Sequence, residues 1–529
     1  MIFYISIASL VFLFLYYRLL YSRFDKYGVK YHKPLPLVGN FGQVIIQRKF
    51  FGDALSDVYY GFPGQRFVGY YEFVSPVILI KDIELMKKIA IQDFESFLDH
   101  RVYISDEIDQ LFGRTLFILR GNDWKNMRAK LSPAFTSAKM KQMLPFMVEI
   151  GKQLTSSLVQ KIGQSKTDSL DIDIKDLSNR FANDIGAFCA FGLKVDSISE
   201  PDNKFFKMGF KASNFSSWDL LKFFGYYSVP YLMKLFKISF LTTDTKDFFV
   251  NLVLNTMKDR EIHNTIRPDL MHLLMEARTG RLSDDDEVDK DQKSSFTATE
   301  EKNVKKNEQR AWTDYDLIAQ ALLFIIASYE TISTTLSFLF YELAVNPNIQ
   351  ERLVQEILKY QKITDGKFDF NTLQTMPYLD MVLSETLRLW PPAVASDRLC
   401  TKEYNMGKPN DEAAEDFIVK VGEDIIIPIM AIHRDPQYFA DPLKFDPERF
   451  SDENKHNIKP FTYIPFGLGP RNCIGNRFAT VGMKVLVCHL IPLIELLPCS
   501  KTMTTAELSA ETFTLKLKGG HWLRLKARN

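Results

Sequence analysis

The chain has 529 residues, 46% of them hydrophobic and 13% aromatic, with 43 Phe, so it can bury a large core. Lys and Arg number 66 against 65 Asp and Glu, a net charge of +1 that argues against a nucleic-acid or polyanion binder. Its five cysteines, Cys189, Cys400, Cys473, Cys488 and Cys499, are scattered and form no CxxC pair. A disulfide framework and a zinc knuckle are therefore both disfavoured, and any working cysteine works alone.

Residues 1–22 read as a membrane anchor. Ile2 to Tyr17 carries no charge and approaches the ~17-residue minimum for a bilayer-crossing helix. Arg18, Arg23, Lys26, Lys30 and Lys33 follow with Asp25 opposing, which places the rest of the chain in the cytosol. Residues 23–40, closing on KPLPLVGN, read as a basic, Pro-rich linker, and 41–529 as one body. Residues 66–81, rich in β-branched and aromatic side chains, predict a short hairpin. Helical periodicity then dominates from about 84 to 390, and strands return around 394–430, including EDIIIPIMAI. The expected fold class is mainly α with a smaller β portion.

Several stretches invite closer reading. Trp124 and Arg128 lie one turn apart in DWKNMR, as two donors to an anion or as a surface cation–π pair. Between Phe205 and Phe240, twelve aromatics alternate with lysines, either as helices packed on the core or as an apolar rim meeting lipid. Residues 281–310 mix acids and lysines and are too polar to pack, which predicts a mobile surface loop.

The longest helix signal runs from Trp312 to Asn346, with a capping box at Thr313 and Asp316 and a stop at Asn346-Pro347. From Leu317 to Tyr329 it is apolar on nearly every side, and then Glu330 and Thr331 break the run. A buried carboxyl is costly unless satisfied or used, so these two are either a satisfied polar pair or a proton-handling dyad. In YLDMVLSETLRLW, the apolar stripe leaves Glu385 and Arg388 facing solvent.

Residues 463–479, YIPFGLGPRNCIGNRFA, enclose Cys473 among Gly467, Gly469 and Gly475. Tight backbone, the nearby charge of Arg471 and a helix starting near Gly475 all favour a thiolate. Such a sulfur is a nucleophile or a metal ligand. With no second ligand in sight, iron held by a macrocycle suits it.

FGLGPRNCIG resembles the haem-binding loop F-x-x-G-x-R-x-C-x-G of the cytochrome P450 monooxygenases at Phe466, Gly469, Arg471, Cys473 and Gly475. ETLR and FDPERF are similar to the family's E-x-x-R and P-E-R-F segments, which implies a buried Glu385–Arg388–Arg449 network. WKNMR resembles its W-x-x-x-R helix, so Trp124 and Arg128 would bind a haem propionate, with Arg398 in SDRLC as a further contact. ASYET resembles the oxygen-binding A-G-x-[DE]-T segment, which makes Glu330 and Thr331 the proton relay to dioxygen. Ser328 departs from that pattern's glycine; its side chain would narrow the oxygen groove or add a hydrogen bond.

The resemblance covers essentially the whole chain and is finest to microsomal members of the clan of vertebrate family 3 and insect families 6 and 9. LSPAFTSAKMKQM, DLIAQALLF and the charged insert look closest to insect family 9. It implies the cytochrome P450 fold over 41–529, haem b ligated by Cys473, and insertion of one oxygen atom from O₂ into a lipophilic substrate. The substrate-contact regions would fall at Phe112 to Phe117, Phe324 to Ala327, Val394 to Ser396 and Thr512 to Leu515. No flavin or dinucleotide fingerprint is present, so electrons would come from NADPH-cytochrome P450 reductase, with cytochrome b5 as an optional accessory. The expected setting is the endoplasmic reticulum membrane, and the expected substrates are xenobiotics such as plant toxins or insecticides. Hormone or fatty-acid hydroxylation, a haem-thiolate isomerase or lyase, and a non-catalytic haem sensor are the competing readings.

Overall fold

The computed structural model describes residues 4, 11–12, 15–215, 219, 222–223, 225–226, 229–279 and 312–528. Half of the segment read as an anchor and all of the 281–310 stretch read as a mobile loop lie outside these residues.

The helices that build the site are α1 (Gly121–Leu131), α2 (Ser137–Gly163), α3 (Ile174–Phe191), α4 (Thr243–His263), α5 (Asp314–Val345), α6 (Pro377–Leu389) and α7 (Asn476–Leu490). The strands are β1 (Phe67–Glu72), β2 (Ser75–Ile80), β3 (Ser169–Asp173), β4 (Ser396–Leu399), β5 (Tyr404–Asn405), β6 (Ile418–Val419), β7 (Asp424–Ile427), β8 (Ile494–Leu497) and β9 (Trp522–Ala527). The predicted hairpin is β1–β2, paired antiparallel from Phe67↔Ile80 to Glu72↔Ser75. The sheet continues in the order β1-β2-β7-β4, with β2 and β7 parallel, while β3, β9 and β8 form a second sheet.

Helix α5 begins where the capping box places it. The Thr313 hydroxyl accepts from Asp316 N, and the Asp316 carboxylate accepts from Thr313 N at 2.8 Å. Among the described residues it is the helix long and apolar enough to cross a bilayer, yet 78% of its most apolar window is buried by protein, so it is the core helix. It packs chiefly on α3, which is buried along almost its whole length. One core surrounds these helices, and a second lies on the four-stranded sheet.

One expectation changes here, and one periodicity reading gives way to the resemblance. EDIIIPIMAI is a strand only over Asp424–Ile427, and Ile429–His433 is a short helix. Pro428 has no N–H for the ladder and turns the chain, and a run buried on all sides carries no period to separate strand from helix. Glu385 and Arg388 do not face solvent, as the stripe taken alone suggests; both side chains are 0% exposed and Arg449 Nε lies 3.4 Å from Glu385 Oε1, the buried network that the resemblance implies. The apolar stripe of α6 marks one packed face, but the polar face is packed as well, against Pro447–Phe450 and the segment before it.

The stretch read as a linker is docked on the sheet. Phe24 is fully buried beside Gly69, where a Cβ would meet its ring at 2.5 Å. Arg23 pairs bidentately with Glu423, with Nη2 to Oε2 at 2.8 Å.

Candidate active site

The loop that carries Cys473 is bent by its glycines. Gly469 has φ +72°, and a Cβ there would lie 1.9 Å from the Ala90 carbonyl oxygen, so only glycine fits. Cys473 N donates to Phe466 O at 2.8 Å, and His433 Nε2 accepts from Ile464 N at 2.8 Å, which fixes both ends of the turn. Helix α7 starts immediately after, at Asn476, and Phe466 is half-buried against the core.

Cys473 is exposed, whereas Cys189, Cys400 and Cys488 are buried. Burial of its surroundings nonetheless pushes its thiol up, while the Gly475 amide and the Arg128 guanidinium pull it down. A sulfur that is accessible yet desolvated lies on an interior space. On α5, Ala327 and Thr331 are exposed one turn apart in a helix otherwise mostly enclosed. The Phe324 ring, one turn earlier, packs on Phe478 of α7 at 4.9 Å between centroids. These observations put the α5 stripe beside the helix that follows the cysteine loop.

Arginines line this space. Arg128 donates to Asn472 O at 2.9 Å and to Asn472 Oδ1 at 2.7 Å, bracing the residue before the thiol. The guanidinium over Trp124 is that of Arg471, 4.1 Å from the ring centroid. Arg471 also donates to Leu98 O at 2.8 Å and Leu119 O at 2.9 Å. Arg128 is the cation that draws the Cys473 thiol down.

Arg398, on β4, is 1% exposed and donates to Leu468 O at 3.1 Å. Its Nε is buried with no partner. Burial and the nearby Arg398 push Arg471 down to about 9, and burial pushes Arg398 down to about 10. Asp99, 3.5 Å from Arg471, and Asp397 beside Arg398 offset part of this repulsion, yet the unmet N–H still calls for an acceptor. The two propionates of haem would fit this donor set, and Cys473 would hold its iron.

The expected dyad is brought together only in part. Thr331 faces the interior space and donates to Ala327 O at 2.7 Å. The Glu330 carboxylate instead accepts from Lys175 Nζ at 3.0 Å and Thr334 Oγ1 at 3.0 Å. Lys175 also donates to Ser333 Oγ at 2.9 Å and Thr334 Oγ1 at 2.7 Å. Burial pushes the Lys175 ammonium below its ordinary 10.5, and Glu330 pulls it back part of the way. Sequence reasoning missed Lys175 and Asn472. A lysine in the first turn of a helix reads as solvated, so no local signal marked the first.

Ser328 points away from the groove. Its hydroxyl donates to Ile325 O at 3.3 Å, and Gly186 of α3 faces it, since a Cβ built there would lie 3.6 Å from Ser328 Oγ. Ser328→Gly is expected to leave product formed per NADPH unchanged and to cost about 0.5–1 kcal/mol through helix propensity. Product-to-NADPH ratios and thermal unfolding of the two proteins check this.

An exposed thiol in a glycine-bent loop, beside buried arginines of which one keeps an unmet N–H, has the chemistry of a haem-thiolate site. The cytochrome P450 family model matches residues 29–523. The chain is 42% identical to cytochrome P450 9e2 of Blattella germanica over 516 residues, 96% of this chain and 94% of that protein. It is 37% identical to probable cytochrome P450 9f2 of Drosophila melanogaster and 35% identical to cytochrome P450 6k1 of Blattella germanica, covering 96% of this chain in each case and 95% and 93% of those proteins. The chain belongs to the cytochrome P450 family: it is a monooxygenase whose cofactor is haem held by a cysteine thiolate.

Proposed function

We propose that this monooxygenase oxidises lipophilic foreign compounds, with Cys473 as the iron ligand. Arg398, Arg471 and Trp124 hold the propionates, and Phe466 packs beside the sulfur. Arg128 steadies the loop through Asn472. Bound there, haem supplies the activation of dioxygen that no side chain provides. Thr331 lines the reaction space, and Glu330 holds or passes a proton at its carboxylate, with the Lys175 ammonium as the adjoining store. The observation that carries this reading is the orphaned Nε of buried Arg398 in a ring of cations beside the one exposed cysteine.

Phe112, Leu116, Phe324, Val394 and Leu515 are all buried apolar side chains in the regions assigned to substrate, which supports an apolar ligand. Electrons come from NADPH through a separate reductase, with cytochrome b5 as an optional accessory. Residues 1–22 anchor the catalytic domain on the cytosolic face of the endoplasmic reticulum. Tyr231, Leu235 and Phe236 are exposed on and after the short helix Pro230–Leu235, which supports a rim touching lipid.

The test is the difference spectrum of the reduced protein with carbon monoxide. A Soret band far to the red of histidine-ligated iron is expected. Cys473→Ala abolishes it and Cys488→Ala leaves it. Full turnover without NADPH and reductase would instead favour an isomerase.

A further inference from the structure

Asp109 is a fully buried carboxylate shared between two distant segments. Its Oδ1 accepts from Phe112 N at 3.1 Å, within its own irregular stretch. Its Oδ2 accepts from Ser239 Oγ at 2.7 Å, Phe240 N at 3.1 Å and Leu241 N at 3.4 Å. Lys246 Nζ, at the start of α4, lies 3.3 Å away and is the neighbouring cation. The rings of Phe112 and Phe240 stack at 4.5 Å beside these bonds.

The same stretch is fastened to α5 on its other side. Arg114 donates to Asp316 Oδ1 and Thr313 Oγ1, each at 3.2 Å. Gln320 accepts from Leu116 N at 2.9 Å and donates to Arg114 O at 2.7 Å. Asp316 and Gln320 precede Thr331 by about 22 Å and about 16 Å along the helix, so residues 105–117 lie as a strap over the N-terminal half of α5.

The two fastenings are unequal. The one on α5 joins the strap to the core helix. The one at Asp109 joins it to residues 238–246, where Phe240, Leu241 and Thr245 are buried, but these follow a short surface helix whose one buried side chain is Met233. A helix with so few buried contacts opens first and pulls on the segment after it.

We propose that Asp109 is the clasp of the substrate cavity. By holding 105–117 to 238–246 it sets how fast bulky apolar ligands enter and leave, without touching haem or substrate. This rests on the reading of Cys473, Ala327 and Thr331 as the interior of that cavity.

The test uses the full-length, haem-loaded protein and Asp109→Asn, which keeps the size of the side chain but turns an N–H₂ toward donors. Binding of imidazole and of a bulky triphenylmethyl imidazole is followed by stopped-flow spectroscopy. The variant is expected to keep the red-shifted carbon monoxide band and to bind and release the bulky ligand about tenfold faster, the equivalent of about 1.4 kcal/mol. Imidazole rates stay within about twofold, and Ser239→Ala moves the bulky ligand the same way by less. Tryptic cleavage after Arg114 and Lys237 accelerates in parallel.

Unchanged rates for the bulky ligand overturn the clasp, as does equal acceleration of imidazole, which marks a general loosening. If the wild-type protein itself lacks the red-shifted band, the reading of the site fails. Cleavage at Arg114, which needs no haem, still decides whether Asp109 holds the strap.

Discussion

Arg388→Ala is expected to yield no stable haem-loaded protein. Arg388 spends all its donors inside the fold: Nε and Nη2 on the two Glu385 oxygens at 2.7 Å each, and Nη1 on His433 O and Pro442 O at 2.8 Å each. Lys444 O accepts a further, longer bond at 3.3 Å. Alanine leaves three carbonyls short of donors and the Glu385 carboxylate buried, with Asp446 N and the more distant Arg449 as its remaining partners. Breaking one side of a buried pair costs about 3–5 kcal/mol, against a total stability of about 5–15 kcal/mol. Burial already pushes the Glu385 carboxyl up, and Arg388 is the largest influence opposing that push. In the variant the carboxyl rises further above its unfolded 4.5, so the folded state binds more protons than the unfolded one between those two values. Stability then falls as pH rises through that window, and the deficit relative to wild type grows from pH 4.5 toward neutrality. Soluble yield and carbon monoxide binding across pH measure it. Glu385→Gln combined with Arg388→Met, which removes both charges, is expected to be less damaging than Arg388→Ala.

The chemistry was legible where local spacing encodes it. Gly467 and Gly469 could be read directly, because both take a positive φ that the turn demands, and they mark the loop around the cysteine. The capping box of α5 and the β1–β2 hairpin were legible for the same reason. Periodicity failed where burial is complete. It sent Glu385 and Arg388 to solvent and merged β7 with the helix after Pro428, since a pattern of apolar faces is silent when every face is covered. Partners far apart in the chain were invisible. Nothing near Arg128 announces that it braces Asn472, 344 residues away, or that Arg471 covers Trp124. Glycine for serine at 328 looked like a change in the oxygen groove. It is a change in the α3–α5 contact, which only the opposing Gly186 reveals.

The same blindness hid Lys175, and it yields the second large effect. Glu330→Gln is expected to reduce product formation by about a hundredfold or more, the usual range for losing a positioned acid or base, with the carbon monoxide band retained. Lys175→Met keeps the acid and removes its clamp, so a smaller loss and a displaced pH profile are expected. The two variants also separate in stability. Burial lowers Lys175 below its unfolded 10.5, so the unfolded chain binds more protons between the two values and stability rises with pH there. Without Glu330 to pull it back, the amine falls further and this window widens. Glu330→Gln should therefore be most destabilised at neutral pH and recover toward pH 10.5, whereas Lys175→Met has no such rise. Product per electron delivered and thermal unfolding between pH 7 and 10 measure both. Equal losses of product in the two variants, in step with lost haem, would reduce Glu330 to a packing partner of Lys175. A deep loss confined to Glu330→Gln assigns the proton to its carboxylate, held 3.0 Å from an ammonium already weakened as an acid's counterion by burial.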